Sequence, residues 1–295
     1  MTIDIMLPFW GDPSLLRQTV ESVRAQTSAD WRLTVIDDAY PDASVAAYFG
    51  QLDDLRIRYI RNDENVGIIK NFRASVRLAE ADHLMVLGSD DLLQPGYVAS
   101  VHNALERHPA ASVFQPGVRV INEHGMPSLP LVDRVKQRML RPDTGAGDVV
   151  LSGEELATGL VRGNWLYWPS LTFRTESIRA HEFRDDLPIV LDLAILLDIV
   201  FDGGSLVVLD DEVFTYRRHS ASASQQAILD GSRFTDDRRF FNEVAGRAAS
   251  RGWSSTARAA RRRLFSRLHA LTTVPAVLRY GTDEGRRALW THIVR

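Results

Sequence analysis

The first third of the chain alternates short apolar runs with longer stretches of helical period. Residues 3–9 form an apolar run of strand length. Asp12 then offers an N-cap with Pro13 at the first helical position, and Leu15, Leu16, Val20 and Val23 recur on one helical face. Further strand-like runs cover residues 33–36, 57–61 and 83–88, and helical patterns cover 67–79 and 95–107. This alternation predicts an α/β fold with a mostly parallel sheet flanked by helices.

Residues 122–148 are rich in Pro, Gly and mixed charge and predict a long loop, a candidate lid. Ser152 and Glu155 have capping-box spacing for a helix to about Arg162. The aromatic stretch Trp165, Tyr167 and Trp168 precedes a strand-like run over 170–174. Residues 189–201 read as a buried helix closed by Gly203-Gly204, and 206–216 as a strand leading into Arg217-Arg218-His219. After Gln225 the chain reads as helical and arginine-rich to the end, so the expected division is 1–225, split into halves 1–115 and 116–225, with an extension at 226–295. There is no internal repeat and no low-complexity tract.

With 295 residues, 45% hydrophobic and 25% charged, the chain can bury a full core. The net charge of -3 gives no reason to expect nucleic acid, and the excess of arginine beyond Arg233 is a property of the tail alone. Zero cysteines exclude a disulfide framework, a zinc-thiolate site and a cysteine nucleophile, and suit a reducing cytoplasm. No leader-like start and no run of roughly 18 apolar residues is present, so a soluble or peripheral cytoplasmic protein is expected.

The candidate chemistry lies at strand ends. Asp37-Asp38 follows the run at 33–36, and Asp90-Asp91 follows the run at 84–87. In an open α/β sheet the carboxyl ends of strands line the ligand crevice, where clustered carboxylates can hold a divalent cation and, through it, a phosphate. The competing reading makes both pairs turn residues. The first strand-to-helix turn, Phe9-Trp10-Gly11-Asp12-Pro13, has one glycine, so neither a dinucleotide fingerprint nor a P-loop is present. A phosphate is then most economically held through Mg²⁺ or Mn²⁺, which take hard oxygen ligands.

Pro8, Asp37-Asp38 with Asp42, Asn65-Val66-Gly67 with Lys70-Asn71, Ser89-Asp90-Asp91, Leu191-Asp192, and Tyr216-Arg217-Arg218-His219 with Ser222 and Ser224 occur in this order. The set resembles family 2 glycosyltransferases of the GT-A fold over roughly residues 3–224. The resemblance implies that Asp38 binds the nucleobase, with Pro8 and Trp10 lining its pocket and Lys70 near base and diphosphate. Ser89 and Asp90 then fall on the nucleotide-sugar side, Asp91 on the metal, and His219 completes the metal shell as it does in some members. Asp192 resembles the base of an inverting single displacement, with Trp168 and Arg217 as acceptor candidates. Three departures stand out: Ser89 replaces a frequent acid, Leu191 a common Glu and Gly11 a usual Asn.

The implied donor is a UDP or dTDP sugar, and the acceptor a glycan, lipid-linked or small-molecule hydroxyl. Duller readings remain for single residues: His219 on the surface, Asp192 as a helix cap, Lys70 in solvent, and the three aromatics as core. Two other functions compete. A sugar nucleotidyltransferase would need a Gly-rich, basic first loop, which residues 9–13 do not supply; a non-catalytic sugar-binding protein would tolerate loss of Asp91 or Asp192. In the tail, Arg258, Arg261, Arg262 and Arg263 beside Leu264, Phe265 and Leu268 suit an anionic membrane surface, or packing on the catalytic domain or a partner subunit in a homo-oligomer.

Overall fold

The computed structural model describes residues 1–128, 131–145, 147–218 and 227–294. β1 (Ile3–Phe9) is buried along its whole length, as a strand with parallel neighbours on both sides should be. Asp12 Oδ1 accepts the Ser14 N–H at 2.7 Å and Pro13 opens α1 (Pro13–Arg24), as the sequence predicts. β2 (Trp31–Asp37), α2 (Ser44–Gln51), β3 (Ile57–Arg61), α3 (Ile68–Leu78) and β4 (His83–Val86) follow. The eight-residue α2 has too few apolar positions to declare a period; Asp42 Oδ1 holds its first turn by accepting the Ser44 N–H at 2.8 Å.

β5 (Leu92–Leu93), α4 (Tyr97–Arg107), β6 (Val113–Asn122), α5 (Leu131–Leu140), β7 (Val149–Ser152), α6 (Gly153–Arg162), β8 (Thr172–Arg174), α7 (Thr175–Arg179), α8 (Leu191–Phe201) and β9 (Ser205–Arg218) complete the sheet region. Among the described residues nine strands form one sheet in the order β3-β2-β1-β4-β8-β6-β9-β5, with β7 beside β9. The β3-β2-β1-β4 half is parallel, and beyond it only β6 and β9 run parallel. The chain winds outward from β1 to β3 and returns to β4 on the other side. That reversal opens a crevice at the carboxyl end of β1.

Two expectations need correction. Residues 122–148 are not one loop: β6 runs to Asn122 and α5 occupies 131–140, tethered by Gln137 Nε2 donating to Trp165 O at 2.8 Å and by Leu140 against the core. Pro116 and Gly117 sit where the register of β6 with β9 shifts, and a Cβ at Gly117 would lie 2.9 Å from Glu212 Cα. The capping box does not form. Ser152 ends β7 paired with Ser205, and its side chain makes no cap bond.

The C-terminal helices are α9 (Ser232–Ser250), α10 (Ser254–Arg262), α11 (Leu264–Tyr280) and α12 (Asp283–Val294). Phe240, Phe241, Val244, Ala257 and Ala260 join Leu160, Leu197 and Phe201 in one hydrophobic cluster, so the core continues across residue 225. Trp253 stacks on Phe201 at 5.0 Å, and the Thr158 and Thr256 hydroxyls meet at 2.8 Å. α11 and α12 close over a smaller cluster of Ile228, Phe234, Ala270, Val277 and Leu289. Among the described residues no helix is long and apolar enough to cross a membrane.

Candidate active site

The carboxyl ends of β2, β1 and β4 bring Asp38, Trp10 and the Asp90-Asp91 turn to one crevice. The two aspartates after β2 have separate tasks. Asp37, fully buried, accepts from Tyr40 N at 2.7 Å, Arg61 Nη1 at 2.7 Å and the Tyr59 hydroxyl, so it ties β2 to β3 and is the turn residue of the pair. Asp38 accepts from Asn62 Nδ2 at 2.8 Å and from the Val66 and Gly67 N–H groups at 2.9 Å each. It thereby fixes the 65–67 loop while facing a cavity of about 380 Å³ lined also by Pro8, Trp10, Ser89 and Asp90. Trp10 is 53% exposed and meets Tyr40 edge-on at 5.3 Å, an aromatic face left open to a flat ligand.

Gly88 allows the second pair to turn inward. A Cβ there would lie 2.4 Å from Asp91 Oδ2 and 3.2 Å from Asp90 Oδ1. Asp91 is 1% exposed; its Oδ1 accepts the Arg217 N–H at 2.7 Å, and among the described residues its Oδ2 has no partner. Burial, and then the Asp90 carboxylate, hold Asp91 well above the ordinary carboxylate range, against the pull of the Arg217 N–H. An orphaned, buried carboxylate oxygen beside a second carboxylate is the hard donor pair that Mg²⁺ or Mn²⁺ takes, with phosphate oxygens able to supply the rest. Among the described residues no group of three His, Cys, Asp or Glu could hold a metal. His219, expected to complete the metal shell with Asp91, and Ser222 and Ser224 lie outside the described residues.

Asp90 and Trp168 line both this cavity and a larger one of about 780 Å³, where Asp91, Asp192 and Tyr216 also appear. Asp192 sits in the first turn of α8, where the helix dipole favours negative charge, and Asn164 Nδ2 donates to its Oδ2 at 3.1 Å. Tyr216 is raised by burial first, then by Asp91 and Asp90, with Asp192 contributing, so its phenol lies in the field of all three carboxylates. The rival carboxylates are engaged elsewhere: Asp185 with Arg73 at 2.8 Å, Asp186 with Arg184 at 2.7 Å, and Asp198 with Arg247. None of the three lines the cavity.

Trp168 is half-buried against Phe72, Phe173 and Phe183, so it is core on one side and cavity wall on the other. Trp165 is buried, and Tyr167 packs on Tyr216 at 5.1 Å. One expectation changes. Lys70 is exposed and lines neither cavity, because one helical step rotates it away when its neighbour Asn71 faces the sheet. Asn71 is the residue that lines the smaller cavity, with Nδ2 donating to Ile36 O at 3.1 Å and Oδ1 unpartnered among the described residues. Arg217 borders the larger cavity but is buried; its Nε donates to Asp90 O at 2.9 Å and its Nη2 to Gln18 Oε1 at 3.2 Å, so it braces the acidic turn. Asn164, Gln137 and Arg233 also line the site, and no local signal in the sequence marks them.

Residues 4–144 match the sequence model of Glycosyl transferase family 2. The putative colanic acid biosynthesis glycosyl transferase WcaA of Escherichia coli is 29% identical over 32% of this chain and 34% of its own length. The succinoglycan biosynthesis protein ExoW of Rhizobium meliloti is 30% identical over 37% of this chain and 35% of its own. This chain thus spans about a third of the length of those two relatives. The crystal structure of S. aureus TarS 1-349 in complex with UDP-GlcNAc superposes with a TM-score of 0.73 over 99% of this chain and 79% of that one, at 13% identity, which shows a common GT-A fold. The strand-end carboxylates, the two adjoining cavities and these likenesses point the same way: over residues 4–144 the chain is similar to glycosyl transferase family 2, and its fold is of the GT-A type.

Proposed function

We propose that the chain transfers a sugar from a nucleoside diphosphate sugar, UDP- or dTDP-linked, to an acceptor hydroxyl with inversion at the anomeric carbon. The observation that carries this reading is that Asp38, Asp90, Asp91 and Asp192 line two cavities sharing Asp90 and Trp168. The smaller takes the nucleoside against Trp10 and Asp38, and the larger the acceptor. Asp91, with Asp90 beside it, would hold Mg²⁺ or Mn²⁺, which when bound neutralises charge on the leaving diphosphate. The acceptor oxygen attacks the anomeric carbon as its proton passes to Asp192; the new C–O bond forms while the bond to the diphosphate breaks, and that electron pair leaves on the nucleoside diphosphate. Asn164 positions Asp192, and Trp168 offers a flat wall to the sugar.

The acceptor is a glycan, lipid-linked or small-molecule hydroxyl. Peripheral contact with an anionic membrane is the tail's part in this proposal. Leu264, Leu268, Leu271 and Leu278 form an exposed stripe along α11, with Arg258, Arg261 and Arg262 close by in the chain. Phe265 instead turns in to line the larger cavity. Calorimetric titration of UDP and dTDP, with and without Mn²⁺, tests the donor reading. One of them binds in a metal-dependent manner and Asp91→Ala abolishes the dependence; metal-independent binding, or an unaffected Asp91→Ala, refutes it.

A further inference from the structure

Helices α9 and α11 and the α10–α11 junction bring together three guanidinium groups, Arg238, Arg267 and Arg263. Arg263 is 5% exposed, and among the described residues its Nε and Nη1 have no hydrogen-bond partner, nor do the buried Nε atoms of Arg238 and Arg267. Among the described residues none of the three is ion-paired. Asp237, the acid that acts on Arg263, already accepts the Ser266 hydroxyl at 2.7 Å. Burial first, then the charges of Arg267 and Arg238, hold the Arg263 guanidinium below its ordinary range. The same field reaches His292, which burial and then Arg263 push down to about 4. Arg263 also has φ 47 and ψ 37, a left-handed conformation that side chains other than glycine rarely adopt.

An unpaired buried cation held in a disfavoured backbone conformation costs stability, and such features persist where a ligand uses them. Three guanidiniums exceed the single charge of a carboxylate, and their planar forks match tetrahedral oxyanions. Asp237 and Ser266, the chain neighbours of Arg238 and Arg267, line the 780 Å³ cavity that contains Asp192. We propose that Arg238, Arg263 and Arg267 form a binding site for a phosphate or phosphodiester group carried by the acceptor. Its role toward the acceptor rests on the transferase reading above, whereas the anion site itself does not.

The test is the melting temperature of wild type, Arg263→Gly and Arg267→Gln in inorganic phosphate and in sn-glycerol 3-phosphate, against chloride at equal ionic strength. Phosphate should raise the wild-type value by several degrees, and both variants should lose most of that shift. Arg263→Gly should melt at or above wild type in chloride, because it removes an unpaired buried cation and relaxes the backbone. Arg267→Gln keeps the test decisive if Arg263→Gly folds poorly. Co-sedimentation with phosphatidylglycerol vesicles separates the sources of phosphate: variants that lose vesicle binding assign the group to a lipid head, and variants that keep it assign the group to a soluble acceptor. No phosphate shift in wild type, or an equal shift in all three proteins, overturns the site. A parallel titration of UDP with Mn²⁺ reports the donor site separately, so UDP binding without a phosphate effect removes this proposal alone, and a phosphate effect without UDP binding removes the donor reading alone.

Discussion

Gly88→Ala should damage the acidic turn without touching either charge. The added methyl would sit 2.4 Å from Asp91 Oδ2, where ordinary contact begins near 3.4 Å, so the carboxylate must retreat by about 1 Å. That retreat strains the 2.7 Å bond from the Arg217 N–H to Asp91 Oδ1, a bond to a carboxylate worth about 1.5–3 kcal/mol. Crowding a packed site adds about 1–3 kcal/mol, and the stiffer unfolded chain returns about 0.4–1 kcal/mol. The net loss is roughly 2–4 kcal/mol, or a fall in melting temperature of about 3–7 °C in a chain of this size. Metal-dependent UDP binding should weaken about tenfold or more. The decisive comparison is a double-mutant cycle by calorimetry with Asp91→Ala, which removes the atom struck; there Gly88→Ala should cost little. An equal melting loss in both backgrounds would mean that the glycine does not exist for the carboxylate.

Trp10→Ala should leave the melting temperature unchanged but weaken UDP binding some five- to hundredfold by calorimetry, since base stacking on an aromatic ring is worth about 1–3 kcal/mol; unchanged affinity would remove Trp10 from the nucleobase slot. His292 has a folded value of about 4 against 6.5, so the stability of its neutral form is full above pH 6.5 and is lost as pH falls toward 4, by about 3 kcal/mol. Urea titrations at pH 7 and 4.5 should show His292→Gln with about 2 kcal/mol less acid sensitivity than wild type, and equal sensitivity would contradict the burial argument. Leu268→Glu with Leu271→Glu should abolish salt-sensitive sedimentation with phosphatidylglycerol vesicles; a wild type that never sediments would leave the α11 stripe without a membrane role.

What the sequence disclosed was local. The β1–α1 unit is written in an apolar run, Asp12 and Pro13, and the Asp90-Asp91 turn in carboxylates directly after β4. Errors arose where a neighbour distant in sequence decides the outcome. Ser152 looks like a cap until Ser205 claims its backbone. Glu154 instead serves α10, accepting the Ser255 N–H at 2.6 Å. The motif Lys70-Asn71 marked the right helix turn, but which of two adjacent residues faces the crevice depends on how α3 is rotated against the sheet. The share of α9 and α11 in the larger cavity has no trace in local pattern, because Arg233 and Ser266 meet the sheet region only after the chain has folded back.

In the proposed reaction, Asp192 takes the acceptor proton beside a metal-bound nucleoside diphosphate. The most direct test is UDP release from UDP-GlcNAc or UDP-glucose, in Mn²⁺ with a panel of simple glycosides and glycerol phosphates, measured for wild type and Asp192→Asn beside UDP affinity on the same preparations. The account predicts that Asp192→Asn binds UDP as wild type does while acceptor-dependent release falls by roughly 10² to 10⁴-fold. Transfer by Asp192→Asn at close to the wild-type rate would contradict it.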